Sequence, residues 1–227
     1  MIECRNITYT WPGNREKALD DISFVIEDGT CAVFEGPNGC GKSTLFRILL
    51  GLSFPDQGTY LLDGETITQE KLKHEDFSRA FHQKIGFIFQ NSEVQLFCDS
   101  VENEIAFGLY QLHLPQEEIT NRVKKALGEF HLEDLRQRAP FNLSGGEQKR
   151  TAMAAVFAME PKVIVIDEPL SGLDEDGQAF VRSFLRAKRD AGTTLIVATH
   201  NRELADDLAN VRIRMDRTHR ITDIRKV

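Results

Sequence analysis

The chain of 227 residues lacks several features that define large classes of protein. It holds four cysteines, and no two of them form a CxxC pair, so the sequence indicates neither a zinc site nor a disulfide framework. No apolar run approaches the ~20 residues that a helix needs to span a bilayer. The amino terminus shows neither a secretory signal nor an Arg-rich transit pattern, and we expect a cytosolic chain.

Blocks of basic residues are also absent. The formal net charge is −7, and no Lys/Arg run of the kind that follows nucleic-acid phosphates occurs. We therefore expect no nucleic-acid partner. The composition, 41% hydrophobic and 28% charged, is that of a globular chain long enough to bury a sizeable core, as one large domain or as a core with an inserted subdomain.

A glycine-rich loop between an apolar run and a helical pattern is the most informative stretch. Its glycines let backbone N–H groups turn toward an anion, Lys42 can reach β- and γ-phosphates, and Ser43 offers a hydroxyl to Mg²⁺. The positive end of the following helix adds to this. The alternative is a glycine-rich turn with a solvated lysine. The loop consists of Gly36, Pro37, Asn38, Gly39, Cys40, Gly41, Lys42, Ser43 and Thr44.

Short apolar runs separated by helical patterns predict a parallel β-sheet covered on both faces. They lie at 85–89, 163–166 and 194–198. Upstream, residues 2–35 are strand-like and predict an antiparallel β layer, with Asp28-Gly29 as a hairpin-type turn. The predicted fold class is therefore α/β.

Residues 91–150 differ from the flanking segments because their apolar pattern is mainly helical. Ser100 is a predicted N-cap, and Pro115 opens a helix with one apolar face. The sequence thus predicts an α/β core with its β layer over residues 1–90 and 151–227, and a helical subdomain over residues 91–150.

Two acidic residues follow the apolar strand at 163–166. In a parallel sheet the ligand crevice lies at the carboxyl ends of the strands. Asp167 can hold the shell of a Mg²⁺ ion, and Glu168 can polarise an attacking water as general base. The alternative is an acid pair that caps a turn.

A second helix begins with a hydroxyl residue and two glycines, Ser144, Gly145 and Gly146. Ser144 would cap the helix, the glycines permit close backbone approach, and the helix dipole favours negative charge. One phosphate loop already serves one nucleotide. A second anion-binding helix start therefore suggests a nucleotide held between two copies of the chain. The alternative is an ordinary N-cap followed by a glycine turn.

Taken in order, these motifs resemble those of the nucleotide-binding subunits of ATP-binding-cassette transporters, over almost the whole chain. The resemblance implies a P-loop ATPase that uses ATP and Mg²⁺, with a parallel-sheet core, an N-terminal antiparallel β layer and an inserted helical subdomain. The residues that carry it are 36–44, 143–148, 163–168, 171–174 and His200.

The resemblance also assigns roles to individual residues. Trp11 matches the adenine-stacking aromatic, although a strand-end aromatic that simply packs is the alternative. Gln90 matches the glutamine that senses Mg²⁺ and couples to the membrane subunit, and His200 matches the switch histidine near the γ-phosphate. The implied catalytic set is Glu168, His200, Gln90 and Lys42, and the implied Mg²⁺ ligands are Ser43, Gln90 and Asp167.

The same resemblance implies a pair of subunits with two shared sites. Ser144, Gly145 and Gly146 would bind the γ-phosphate of the nucleotide held by the opposite subunit. Asp174 would lie at the seam of that dimer. The chain would pair with a second copy or with a paralogous ATPase.

Within that family, the chain is similar to the ATPases of energy-coupling-factor importers for vitamins and cobalt or nickel ions. This implies a transmembrane coupling subunit and a small substrate-binding membrane subunit as partners, at the cytoplasmic face of the cell membrane. The rival hypotheses are a soluble cassette protein that acts as a switch on DNA or ribosomes, and a scaffold that does not hydrolyse ATP. The similarity rests on residues 86–91, 95–97, 100–102 and 106–108.

Overall fold

The structure is a computed structural model that describes residues 1–227, with ten strands, eight α-helices and three short 3₁₀ turns. The strands are β1 (Ile2–Thr10), β2 (Lys17–Ile26), β3 (Cys31–Glu35), β4 (Gln57–Leu62), β5 (Glu65–Thr66), β6 (Ile85–Ile88), β7 (Val163–Asp167), β8 (Thr194–Ala198), β9 (Val211–Met215) and β10 (Ile221–Lys226). The helices are α1 (Lys42–Leu49), α2 (Gln69–Leu72), α3 (Glu75–Lys84), α4 (Val101–Gln111), α5 (Gln116–Glu129), α6 (Gly145–Ala158), α7 (Glu175–Asp190) and α8 (Arg202–Leu208).

The chain forms two compact units. The first comprises residues 1–82 and 184–227, and the second comprises residues 83–183. No helix combines the length and the apolar character that crossing a bilayer requires.

In the first unit, four strands form an antiparallel sheet in the order β2-β1-β4-β5. The predicted antiparallel β layer is therefore confirmed. Asp63 and Gly64 join β4 to β5 with φ angles of 54° and 79°, the left-handed pair that a tight type I′ hairpin needs.

The predicted hairpin at Asp28-Gly29 is wrong. β2 pairs with β1 in the antiparallel sheet, whereas β3 pairs in parallel with β8 and β9. The reason lies in the side chains of β3, since Ala32, Val33 and Phe34 are all fully buried and a strand covered on both faces belongs in a parallel sheet.

Phe34 fixes the strand that leads into the glycine-rich loop. Its ring packs edge-on against Phe24 of β2, with centroids 5.4 Å apart, and against Phe46 of α1, with centroids 5.9 Å apart. All three side chains are buried. Truncation of such a phenylalanine to alanine typically costs about 3–5 kcal/mol, so this cluster holds β3 and α1 in a fixed relation.

In the second unit, β6 and β7 pair in parallel, with Ile85 opposite Val163 and Ile88 opposite Ile166. Helices α4, α5 and α6 pack against one another in the same unit. The Oγ atom of Ser100 accepts a hydrogen bond from the Asn103 N–H at 3.2 Å, which confirms the predicted N-cap of α4. The assignment of residues 91–150 to a separate subdomain stays a prediction.

Candidate functional site

The glycine-rich loop runs from the end of β3 to the start of α1 in the first unit. Gly41 is the N-cap of α1 and has a φ of 110°, a conformation that residues with a Cβ rarely adopt. A Cβ atom on Gly41 would lie 2.6 Å from the Ala18 carbonyl oxygen, and one on Gly36 would lie 2.4 Å from the Met215 carbonyl oxygen. The backbone of the loop therefore requires glycine at both positions.

The N-terminal end of α1 is built to receive an anion. No side chain caps it, and its first turn contains no acidic residue. The first N–H groups of a helix have no carbonyl partner within the helix and carry its positive pole. A phosphate group fits this arrangement, because it supplies the negative charge and the acceptors that these N–H groups lack.

Lys42 directs its ammonium into the loop. Its Nζ atom donates to the carbonyl oxygens of Gly36, at 2.7 Å, and Pro37, at 3.3 Å, and the side chain is 7% exposed. The Sγ atom of the buried Cys40 lies 3.8 Å from the same ammonium. A positive charge held in this loop by backbone carbonyl oxygens is suited to binding the negative phosphates of a nucleoside triphosphate.

Ser43 and Thr44 follow Lys42 in the first turn of α1. The Ser43 side chain is exposed, so its hydroxyl is accessible to a metal ion. Trp11 lies beside α1, because the guanidinium of Arg47 lies over the indole at 5.5 Å from its centroid. Tyr9 packs edge-on against the same indole at 5.2 Å.

His200 follows β8, and its Nε2 atom lies 2.7 Å from the Oδ1 atom of Asn38 in the glycine-rich loop. Both residues are exposed. A cleft of about 480 Å³ opens at the carboxyl ends of β3, β8 and β9, lined among others by Gly36, Pro37 and His200. The first unit thus brings together the loop and the predicted switch histidine.

The second unit carries two of the three predicted Mg²⁺ ligands, Gln90 and Asp167, and the predicted base, Glu168. Because β6 and β7 run in parallel and in register, Gln90 beyond β6 and the acids at the end of β7 lie at the same edge of this strand pair. Asp167 and Glu168 are both half-buried. Glu168 has a φ of 45°, a backbone conformation that costs a residue with a side chain of order 1–3 kcal/mol.

The start of α6 has a complete capping box. Ser144 Oγ accepts a hydrogen bond from the Glu147 N–H at 3.3 Å, and a Glu147 carboxylate oxygen accepts one from the Ser144 N–H at 2.7 Å. These hydrogen bonds lower the pKa of Glu147. The predicted anion-binding helix start therefore holds a carboxylate of its own.

A second cleft, of about 290 Å³, lies in the second unit and is lined among others by Gln90, Gly145, Lys149 and Gly172. The start of α6 and the predicted glutamine therefore share one cavity. Asp174 is exposed, and its carboxylate accepts a hydrogen bond from the Gly177 N–H at 2.9 Å in the first turn of α7.

Lys149 is a site residue that the sequence did not reveal. It is 2% exposed, and its Nζ atom donates to the carbonyl oxygens of Phe89, at 3.0 Å, and Gln90, at 3.2 Å. Burial lowers the pKa of its ammonium to about 8, although the charges of Asp167 and Glu168 act in the opposite direction. A lysine near the N-terminal end of a helix opposes the helix dipole, and that was the available signal.

A family model described as ABC transporter matches residues 19–171. The chain is 41% identical to the energy-coupling factor transporter ATP-binding protein EcfA2 of Clostridium acetobutylicum, covering 92% of this chain and 73% of the relative. It is 38% identical to the nickel import ATP-binding protein LarO of Lactiplantibacillus plantarum, covering 97% of this chain and 91% of the relative.

Two solved structures share the fold. One is cbiO1 of Clostridium perfringens, described as part of the ABC transporter complex cbiONQ, with a TM-score of 0.86 and 31% identity over 99% of this chain and 88% of that one. The other is the ATP-binding cassette MJ0796, a dimer bound to ADP and phosphate, with a TM-score of 0.88 and 26% identity over 100% of this chain and 98% of that one.

Proposed function

The chain belongs to the ABC transporter family, as the match over residues 19–171 shows, and we propose that it powers a membrane importer for a micronutrient. It is an ATPase that binds ATP and uses Mg²⁺. The observation that carries the nucleotide-binding part of the proposal is the uncapped α1 with the ammonium of Lys42 bonded to the preceding loop. The printed names of relatives, which include nickel import and energy-coupling factor proteins, support import.

Binding of the triphosphate is assigned to the glycine-rich loop. Its backbone N–H groups and the Lys42 ammonium hold the phosphates, and Trp11 stacks on the adenine. Ser43, Gln90 and Asp167 would supply the neutral and anionic oxygen atoms that Mg²⁺ prefers. When bound, Mg·ATP supplies the phosphoryl group and the divalent charge.

Hydrolysis is assigned to a carboxylate and an imidazole. A Glu168 carboxylate oxygen orients the attacking water and takes its proton, which is the role of a general base. His200, held beside the glycine-rich loop, presents an imidazole N–H to the developing charge, as electrostatic catalysis requires. The left-handed backbone of Glu168, at the end of β7, is consistent with a residue held in place for a functional role.

We propose further that the chain dimerises around two Mg·ATP, with itself or with a paralogue. Ser144, Gly145 and Gly146 would then bind the nucleotide of the opposite subunit, and Asp174 would lie at the seam. The dimeric state of MJ0796 supports this. The exposed position of Ser144 and Gly145 at the start of α6 is consistent with such a contact.

The membrane partners are assigned to an apolar surface of the second unit. Large apolar side chains are exposed there although burial would be favourable, and two of them, Phe97 and Phe107, pack edge-on with centroids 4.9 Å apart. Exposed apolar patches mark docking sites. We propose that a transmembrane coupling subunit docks on them from the cytoplasmic side, alongside a small membrane subunit that binds a vitamin such as biotin, or cobalt or nickel. The surface comprises Phe89, Val94, Phe97, Phe107, Tyr110 and Phe141.

Affinity purification from detergent-solubilised membranes of the native host tests the importer. The native chain should bring down one helical coupling protein and one small integral membrane protein, identified by mass spectrometry. Val94→Asp, at a side chain that is 71% exposed, should lose them, whereas Val25→Asp, at one that is 50% exposed in the first unit, should retain them. Recovery of ribosomes or DNA-repair factors without a membrane protein would overturn the importer and favour the rival switch function.

A further inference from the structure

Two side chains hold the backbone that leads from β6 to Gln90. Lys149 donates to the carbonyl oxygens of Phe89 and Gln90, at 3.0 and 3.2 Å. Gln95 accepts from the Phe89 N–H and donates to the Phe87 carbonyl oxygen, both at 3.3 Å. The peptide groups on both sides of Phe89 are therefore bonded to side chains rather than to a neighbouring strand.

The lysine is the stronger of these two attachments. Its ammonium is buried, and a buried charge is tolerated only where hydrogen bonds and opposite charge compensate it. The two carbonyl oxygens supply the hydrogen bonds, and Asp167 and Glu168 supply the opposite charge. If the Gln90 backbone moved away from Lys149, the buried ammonium would lose its hydrogen-bond acceptors. The Gln90 backbone and the Lys149 side chain should therefore move together.

Lys149 also belongs to the helix that begins at the capping box of Ser144. Five residues of α-helix span roughly 7.5 Å, a rigid distance at this length. The backbone of Gln90 is thus tied through one buried side chain to the helix start that carries Gly145 and Gly146. In the other direction, the segment continues directly into the exposed Val94 and Phe97.

We propose that Lys149 is a positioning residue that links the Gln90 segment to the start of α6. This inference rests on the proposed function, in which the apolar surface meets the membrane partner and the start of α6 meets the opposite nucleotide. A displacement of residues 89–97 would then be passed through Lys149 to α6. Loss of the link should loosen the segment and slow turnover, while the ATP-binding loop of the first unit keeps its affinity.

Three substitutions in the full-length chain separate this role from general destabilisation. Lys149→Met fills the aliphatic volume but donates no hydrogen bond, and Lys149→Arg restores a charged donor. Lys124→Met makes the same chemical change at an exposed lysine of α5 and serves as the matched control. Hydrogen–deuterium exchange of residues 89–95 is the first readout, and kcat with the ATP dissociation constant, read from Trp11 emission, is the second.

We expect exchange of residues 89–95 to rise about tenfold or more in Lys149→Met, as loss of charge-assisted hydrogen bonds implies. We expect kcat to fall about tenfold with the ATP dissociation constant changed less than about threefold, the pattern of a positioning defect. Lys149→Arg should recover part of both, and Lys124→Met should match the native chain.

Unchanged exchange of residues 89–95 in a folded Lys149→Met variant would overturn the inference. If that variant lacks a cooperative thermal transition, Lys149→Gln, which keeps a polar tip without the charge, replaces it in the same comparison. Absence of ATP turnover in the native chain would instead contradict the proposed function. The exchange comparison would still decide the role of Lys149, because it does not depend on catalysis.

Discussion

The Nε2 atom of His200 lies 2.7 Å from the Oδ1 atom of Asn38, joining residues 162 positions apart in the chain. Because an amide oxygen only accepts hydrogen bonds, the imidazole donates in this contact when Nε2 carries a proton. The parallel pairing of β3 with β8 brings the two residues to neighbouring strand ends. The loop proposed to hold the phosphates therefore also orients the imidazole ring of His200.

Asn38→Ala should impair catalysis through His200. Loss of one orienting hydrogen bond of about 1 kcal/mol corresponds to a decrease in kcat of about fivefold, with little change in KM. Steady-state phosphate release measures both. His200→Ala should reduce kcat further, and the double variant should be no slower than His200→Ala alone. Additive effects of the two substitutions would contradict the link.

Glu168→Gln should abolish most hydrolysis and leave ATP binding intact. Removal of a general base typically costs 10²–10⁴-fold in rate, whereas the amide keeps the size of the carboxylate. Phosphate release in single turnover measures the rate, and size-exclusion chromatography with Mg·ATP should show the variant as a stable dimer. Lys42→Ala is the contrasting control, since it should lose nucleotide affinity itself. Near-native turnover by Glu168→Gln would exclude the general-base role.

Trp11 is the single tryptophan of the chain, so its emission reports on the site without interference. Addition of Mg·ATP should change that emission if adenine stacks on the indole. Trp11→Ala should weaken ATP binding by about 1–3 kcal/mol, the usual contribution of a base stacked on an aromatic ring. Calorimetric titration gives the affinity of the variant, and Trp11→Phe should retain part of it. Equal affinity of the alanine variant would mean that Trp11 only packs.

Glu147→Gln should strengthen ATP-dependent dimerisation. A glutamine at this position preserves the capping box but removes a negative charge from the helix start proposed to meet a γ-phosphate. We expect the dimer dissociation constant with Mg·ATP to fall about threefold or more, a Coulombic effect of modest size at a half-buried site. Sedimentation velocity measures it. A weaker dimer would show that the carboxylate takes part in the contact.

The same substitution carries a pH test. Because folding lowers the pKa of Glu147, its ionised form contributes stability that is present above its ordinary pKa of 4.5 and is lost as the pH falls through the lowered value. The thermal unfolding temperature of the native chain should therefore fall more steeply below about pH 4.5 than that of Glu147→Gln. Parallel curves for the two proteins would contradict this contribution.

Local patterns predicted the elements that are determined by local chemistry. The N-cap at Ser100 was predictable because its partner Asn103 is three residues away. The buried face of α5 was predictable from helical spacing, and Ile119 and Val123 are indeed buried. The glycine-rich loop belongs to this class, since its glycines are required by the backbone itself.

Features that depend on distant residues were not predictable in the same way. The dipeptide Asp28-Gly29 is typical of a hairpin turn, but β3 pairs with strands more than 150 residues later in the chain, from Thr194 onward, and not with β2. Helices α2 and α3 were missed because they are largely polar, with Phe81 as their single buried side chain. Lys149 was missed because its acceptors are backbone carbonyls 59 and 60 residues away. Backbone acceptors have no sequence signature, since every residue carries a carbonyl group.

The left-handed backbone of Glu168 sets a limit on how this chain can be engineered. Glycine would relieve the backbone strain at this position, but it would also remove the carboxylate proposed as the base and one of the two negative charges that compensate the buried Lys149. At this residue, relief of backbone strain is therefore coupled to loss of charge compensation and of turnover, and any stability screen of the protein needs a hydrolysis assay beside it.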